Sequence, residues 1–324
     1  MLRGLSLIAA SLSAAALLTL PVSAAESLAA ANADLQAGRA DAAIAKLNDA
    51  LNADPKSAEA NNLLCRVEYT LQQWNEANGH CEKAVALDAG NARYHLWLGR
   101  VFGERASRAS WTSAYSLAKH TRDEFETAAK LDPKDGEVLS DLGEFYTDAP
   151  GVIGGGADKA EAVAKQLDAI DPARSHHLRG LIAEKQKDLA AAEREFKAAT
   201  TGPHPAVSWM ELASFYRRHE RWADMESAVA SGAAAAAHDK HAAVALFNGA
   251  SILGRANRKP DEAVKLYESY LASPDKSEDA PAFDALIRLA KIRKQTGDQA
   301  GALRDKASAL ALAHDYKPAQ EAKF

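Results

Sequence analysis

The chain is 324 residues long, carries a formal net charge of −5, is 6% aromatic and contains two cysteines. That mildly acidic balance excludes a protein built to grip a phosphate backbone, and the length allows two ordinary domains or one long array. Alanine-rich stretches such as "SGAAAAAHDKHAA" point to an all-α chain, because alanine is the best helix former.

In chain order, residues 1–24 read as a secretory signal peptide. Arg3 is followed by an apolar run from Leu5 to Val22, and Val22-Ser23-Ala24 fits a small-x-small cleavage pattern. Cleavage is expected near Ala24 or Ala25. The competing account is a membrane anchor, but no second apolar stretch approaches ~20 residues. The mature chain, 25–324, is therefore expected to be soluble, periplasmic or secreted, with no membrane span.

After the leader the sequence repeats itself. One unit ends at Pro55 and the next reaches the matching point at Ala89, 34 residues on; Ala43 and Ala77 are also 34 apart. Each unit holds an apolar helical pattern, a short turn and a second helix. The units run approximately 25–57, 58–91, 92–135, 136–172, 173–205, 206–239, 242–275 and 283–316. The third carries extra residues around "GERASRASWTSA", and the fourth around "DAPGVIGGGAD". Small residues (Ala31, Ala43, Gly99, Gly143, Ala160, Gly180, Ala192) recur where the two helices of a unit would pack. The pattern resembles the tetratricopeptide repeat family, whose unit is two antiparallel helices in about 34 residues. The resemblance covers nearly the whole mature chain, although Trp97 is displaced by two residues from the family's position, and Asp34 and Glu68 replace its usual tyrosine. It implies a right-handed superhelical solenoid of about eight helical hairpins, with first helices lining a concave face. An open stack of this kind predicts an elongated particle.

Several chemical signals compete with that picture. The run Gly154–Gly156 with Lys159 has the outline of a phosphate cradle, but Ala157-Asp158 stands where a P-loop needs Lys-Ser/Thr, and no strand precedes it. An enlarged turn inside the fourth repeat is the simpler account. Ser116-Leu117-Ala118-Lys119 matches the S-x-x-K of penicillin-binding enzymes, but the companion S-D-N and K-T-G motifs are lacking. A serine-dependent hydrolase is thus the weakest of three functional readings. Ten histidines include His238 and His241 three apart and the adjacent pair His176–His177, with no H-E-x-x-H and no C-x-x-C. No metal and no cofactor are expected.

The family resemblance implies that ligands lie across the inward side of the first helices. Arg66 and Arg100 are 34 apart and should stack in neighbouring units, with Asn62, Tyr69 and Arg93 on nearby turns; Arg217 and Arg218 recur further along. Such a basic strip would capture acidic side chains or a chain-terminal carboxylate; the bland account is a solvated charged face. Trp111 and Tyr115 would be its aromatic anchor, or would merely pack longer helices together. Cys65 and Cys81 fall on facing helices of the second unit, about equally far from its turn. A disulfide is expected if the compartment is oxidising, and two buried thiols are the competing account. The resulting expectation is a non-enzymatic protein- or peptide-binding scaffold of the bacterial cell envelope. The second reading is a chaperone-like or regulatory subunit of an envelope assembly or glycan-handling complex. No nucleic-acid partner is expected.

Overall fold

The computed structural model describes residues 24–239 and 241–324; the leader assigned to 1–24 lies almost wholly outside these. Among the described residues there is no strand. Sixteen helices form eight successive hairpins: α1 (Ala24–Gln36) with α2 (Ala40–Ala53), α3 (Ala58–Thr70) with α4 (Trp74–Leu87), α5 (Ala92–Arg108) with α6 (Trp111–Leu131), and α7 (Gly136–Asp148) with α8 (Ala157–Leu167). Then come α9 (Pro172–Lys185) with α10 (Leu189–Ala199), α11 (Pro205–Arg218) with α12 (Trp222–Ala236), α13 (Ala243–Arg255) with α14 (Pro260–Ala272), and α15 (Ala282–Gln295) with α16 (Gln299–Leu312). A short α17 (Lys317–Gln320) closes the chain.

The turns between hairpins explain why the helices stop and start where they do. Asp54, Asp88 and Asp132 each accept a backbone N–H two residues on, from Lys56 (3.0 Å), Gly90 (3.1 Å) and Lys134 (3.2 Å). Such side-chain turns compete with helix and end it. Ser57, Asn91, Asp135 and Asp171 then accept first-turn N–H groups and restart it. Inside most hairpins a single residue at positive φ reverses the chain, for example Gly38, Gln72, Lys187 and Glu220. The third hairpin lacks one. Ala109 and Ser110 are extended there, and its helices grow to 17 and 21 residues, which absorbs the extra sequence.

Odd-numbered helices pack on one another along the inside of the stack, and each even-numbered helix packs outside its partner. The small residues sit where close approach demands them. A Cβ on Gly99 would fall 2.5 Å from the Phe125 ring, and one on Gly180 would fall 2.8 Å from Phe196. Gly143 differs from expectation, since its close neighbour is Leu178 of the following hairpin rather than its own partner helix. The glycine run follows a 3-10 turn, Gly151–Ile153, and has positive φ at Gly154 and Gly156. Lys159 Nζ donates to the Gly154 carbonyl at 2.8 Å, so the lysine closes the turn.

The ends of the stack do not diverge, which corrects the expectation of an open, elongated array. Leu28, Leu35 and Leu47 of the first hairpin share one buried cluster with Phe283, Ile287 and Ala309 of the last and with Tyr316, which precedes α17. The turn glycine Gly38 lies against Ala282. The His314 backbone N–H donates to the Asp41 carboxylate at 3.0 Å. The physical reason is that each end of a repeat stack presents an uncovered apolar face, and here the two faces cover each other. The α14–α15 connection, Ser273–Pro281, runs across the inside of this closed turn; we term it the strap.

Candidate functional site

The inner surface carries most of the residues singled out from sequence, divided by the strap into two regions. On the strap side, Arg66 of α3 is 7% exposed and grips Glu278 with two bonds, Nε to Oε2 at 2.9 Å and Nη2 to Oε1 at 2.5 Å. Gln36 reads the same residue twice. Its Nε2 donates to Glu278 Oε1 at 3.0 Å, and its Oε1 accepts the Glu278 backbone N–H at 3.2 Å. Arg100 of α5 binds Asp141 (2.6 Å) and Glu137 (2.8 Å) on α7. Burial opposes its charge, but Asp141 and Glu137 outweigh that, and the net shift of its pKa is upward. Arg66 and Arg100 both lie over the Trp97 ring, at 5.5 and 4.6 Å, and Tyr69 meets that ring edge-on at 5.4 Å. Burial raises the Tyr69 hydroxyl pKa, so it stays neutral. Arg93 reaches Glu137 at 3.6 Å. Beside the strap, Asn62 and Arg93 line a cleft of about 700 Å³, and the buried Asn62 Nδ2 has no hydrogen-bond partner among the described residues.

Beyond the strap lies a basin of about 540 Å³ lined by α7, α9, α11, α13 and α15. Its charges nearly cancel in place. His177 sits between Glu211 (2.9 Å) and Glu144 (3.7 Å). Burial lowers its pKa, but the two glutamates more than compensate and push it up to about 10, so the imidazole is a cation at neutral pH. Asp148 pairs with Lys185, Arg218 with Glu184, and Asp284 with Arg288. Asp279 of the strap is raised by burial and by adjacent Glu278, and Arg100 is the cation that offsets this. Arg217 and Arg255 are left over. Neither makes an ion pair with any described residue, and burial, Arg255 and Arg218 together lower the Arg217 pKa. Ser214, Asn248 and Ser251 lie around them, with Leu181, Val207 and Phe247 supplying apolar wall.

The other sequence candidates fall elsewhere. Trp111, 84% exposed, and Tyr115 begin the outer helix α6 and line neither the strap-side cleft nor the basin. Ser116 and Lys119 are exposed on the same helix, with Lys119 Nζ 5.8 Å from the Tyr115 ring. His176 and His177 point apart, to Glu195 on α10 and Glu211 on α11. No group of three or more metal-ligating side chains is assembled among the described residues, and no described helix is long and apolar enough to cross a membrane. Cys65 and Cys81 are joined as a disulfide across α3 and α4, with Cα atoms 5.3 Å apart. Sequence reading missed Glu278 and Arg255, and weighed His177 only as a metal ligand. A signal for the strap was present, because residues 276–282 belong to no repeat and hold "KSEDAPA".

Stacked hairpins with a polar, concave interior define a helical repeat protein of the kind that presents an extended inner surface to other chains. Residues 34–101 match the tetratricopeptide repeat family. Hairpins of the same form recur from there to the last helices, and the tetratricopeptide repeat match suggests a protein-interaction scaffold. A stretch of 120 residues is 32% identical to Superkiller complex protein 3 of Mus musculus, covering 36% of this chain and 7% of that protein's length. Among solved structures, a thermophilic TPR protein of Thermus thermophilus is similar at 21% identity, 60% of this chain, 98% of that one and a TM-score of 0.48. A tetratricopeptide repeat protein of Parabacteroides merdae is similar at 13% identity, 92% of this chain, 99% of that one and a TM-score of 0.45.

Proposed function

We propose that this chain is a non-enzymatic scaffold of the bacterial cell envelope that holds an acidic segment of a protein partner in its basin, with Arg217 and Arg255 as the anchoring cations. The observation that carries the reading is the balance of charge. The other cations of the basin, His177, Arg218 and Arg288, are each paired with a carboxylate of this chain, whereas Arg217 and Arg255, on adjacent inner helices, make no ion pair with any described residue; among the lining carboxylates the strap's Asp279 likewise makes none. Guanidinium forks suit carboxylates, whether on side chains or at a chain terminus. The apolar wall of Leu181, Val207 and Phe247 suits a peptide better than a free inorganic anion, which has no apolar surface to cover. Arg66 and Arg100, the pair favoured from sequence, already hold carboxylates of this chain, so they are not the free cations of the inner face.

The envelope assignment rests on the leader-like residues 1–24 together with the disulfide, a bond that persists in oxidising compartments. Fractionation with N-terminal sequencing checks it: a mature start near Ala25 outside the cytoplasm is expected, and an intact Met1 in the cytosol contradicts it. For the basin, crosslinking in cells followed by identification of the attached protein gives the partner. Reversing both charges, Arg217→Glu with Arg255→Glu, should abolish capture at unchanged helicity. The scale is about 1.5–3 kcal/mol for each charge-assisted hydrogen bond lost. Full capture by the double variant moves the site off the basin.

A further inference from the structure

The third hairpin stands taller than its neighbours, and at one end only. Helix α5 has 17 residues against 13 in α3 and in α7, and α6 has 21 against 14 in α4. The turns at the other end, Asp88–Asn91 and Asp132–Asp135, keep the same length and the same aspartate bonds, so the excess lies at the α5–α6 turn. At 1.5 Å of rise per residue, residues from about 105 to 117 project roughly 6–10 Å past α3 and α4. The composition of this tip departs from that of the whole chain. Between Arg105 and Arg122 stand four arginine and lysine residues, Arg105, Arg108, Lys119 and Arg122, and no aspartate or glutamate, in a chain of net charge −5. Trp111 is 84% exposed, and Tyr115, one turn along the same side of α6, is also exposed. Lys119 follows one turn further. Its Nζ lies 5.8 Å from the Tyr115 ring, and it makes no ion pair with a described residue. Arg108 pairs with Glu104 and lies over the Trp74 ring at 4.5 Å. Arg122 donates to the Ile153 carbonyl at 2.9 Å, which brings the exposed Val152 beside the same helix. The remaining exposed positions at the turn, Ser107, Ser110, Thr112 and Ser113, are small and polar.

We propose that the α5–α6 tip is a membrane-surface anchor, which seats Trp111 and Tyr115 among the headgroups of an anionic phospholipid bilayer while Lys119 and the neighbouring arginines answer the lipid phosphates. Shape, side-chain type and charge agree on this occupant. A projecting tip meets a plane before the rest of a closed stack does. Tryptophan and tyrosine favour the membrane–water interface, where the ring is partly dehydrated and its polar edge stays wet. Lysine and arginine close to an anionic leaflet are attracted to it, whereas the acidic remainder of the chain is repelled, so contact is confined to the tip. The tip lies on the bilayer and does not enter it, since no described helix is long and apolar enough to cross. The anchor sits at the turn end of an outer helix and lines neither the strap-side cleft nor the basin, so the proposal does not rest on the basin reading.

The test uses residues 24–324, which hold all the hairpins, so that the apolar run Leu5–Val22 contributes nothing. The probe is a vesicle of phosphatidylglycerol and phosphatidylcholine in equal parts, with pure phosphatidylcholine vesicles as the uncharged comparison, and binding is read by co-sedimentation at low salt. The chain should bind the anionic vesicles, and the uncharged ones about tenfold more weakly. Trp111→Ala should weaken binding to the anionic vesicles about tenfold, and Lys119→Gln about fivefold, the scale of one cation beside an anionic surface. Both side chains are exposed, so circular dichroism should show helicity unchanged in each variant. Brominated phosphatidylglycerol should quench indole emission from the bound chain, and most of that quenching should vanish in Trp111→Phe. No binding to anionic vesicles, equal binding to both kinds, or full binding by Trp111→Ala overturns the proposal. A lipid-free dimer that Trp111→Ala dissolves would assign the tip to a second copy and overturn it as well. None of these readouts involves Arg217 or Arg255, so the basin reading stands or falls separately.

Discussion

At the scale of single residues, His177 is the titratable group whose state most affects the basin. Its folded pKa is raised to about 10 from an ordinary 6.5. The stabilisation it draws from Glu144 and Glu211 is therefore fully present below pH 6.5 and is lost as pH rises through about 10. Urea unfolding measured from pH 6 to 10 should show stability falling across that window, and His177→Gln should flatten the fall. A variant that keeps the full slope would assign it to another group. The positive-φ turn residues offer a test of opposite sign. Glu220 has φ 56 and makes no side-chain bond to a described residue, and a left-handed conformation costs a non-glycine residue roughly 1–2 kcal/mol. Glu220→Gly should therefore raise unfolding stability by about 1 kcal/mol, net of the entropy glycine adds to the unfolded chain.

At the scale of one hairpin, the Cys65–Cys81 bond ties α3 to α4 and closes a loop of 16 residues in sequence separation. Reduction should cost about 3 kcal/mol in the chain-entropy picture. Hydrogen exchange after reduction should show α3 and α4 losing protection before α11 and α12, because coupling in a repeat stack is mostly between neighbours; uniform loss along the chain would argue against this. Hairpins of this kind are legible in sequence because their determinants are local. An aspartate two residues before a lysine or glycine, a small residue opposite a phenylalanine and an alanine recurring at 34 residues all act within one or two turns. The cysteine pair was legible for the same reason. The partners of Arg66 and Arg100 were not. Glu278 lies 212 residues from Arg66, in a connection with no repeat pattern, and its place depends on where the eighth hairpin sits. Local spacing does not encode the accumulated curvature of seven earlier units, so it could mark the basic strip but not its occupant. Arg255 was missed because the six-residue connection between α12 and α13 carries it out of the 34-residue register, to 38 residues after Arg217.

At the scale of the whole molecule, the contact between Gly38 and Ala282 tests closure directly. A Cβ at Gly38 would fall 2.4 Å from the Ala282 backbone nitrogen, and Gly38 also has φ +69. Gly297 has φ +92 with nothing within 4 Å of such a Cβ. Gly38→Ala and Gly297→Ala should both lose the cost of an unfavourable backbone angle, about 1–2 kcal/mol. Only Gly38→Ala should also enlarge the radius of gyration in solution scattering, and equal radii for the two variants would show that the ends are not joined there. An open array of repeats tolerates gain or loss of a unit, because each addition merely lengthens it. A chain whose eighth hairpin must meet its first has no such freedom. One unit fewer leaves a gap at Gly38, and one more makes the last helices collide with α2. Closure thus counts the repeats, and duplication of a single unit, the ordinary way such arrays evolve, is barred to this one unless the seam is given up.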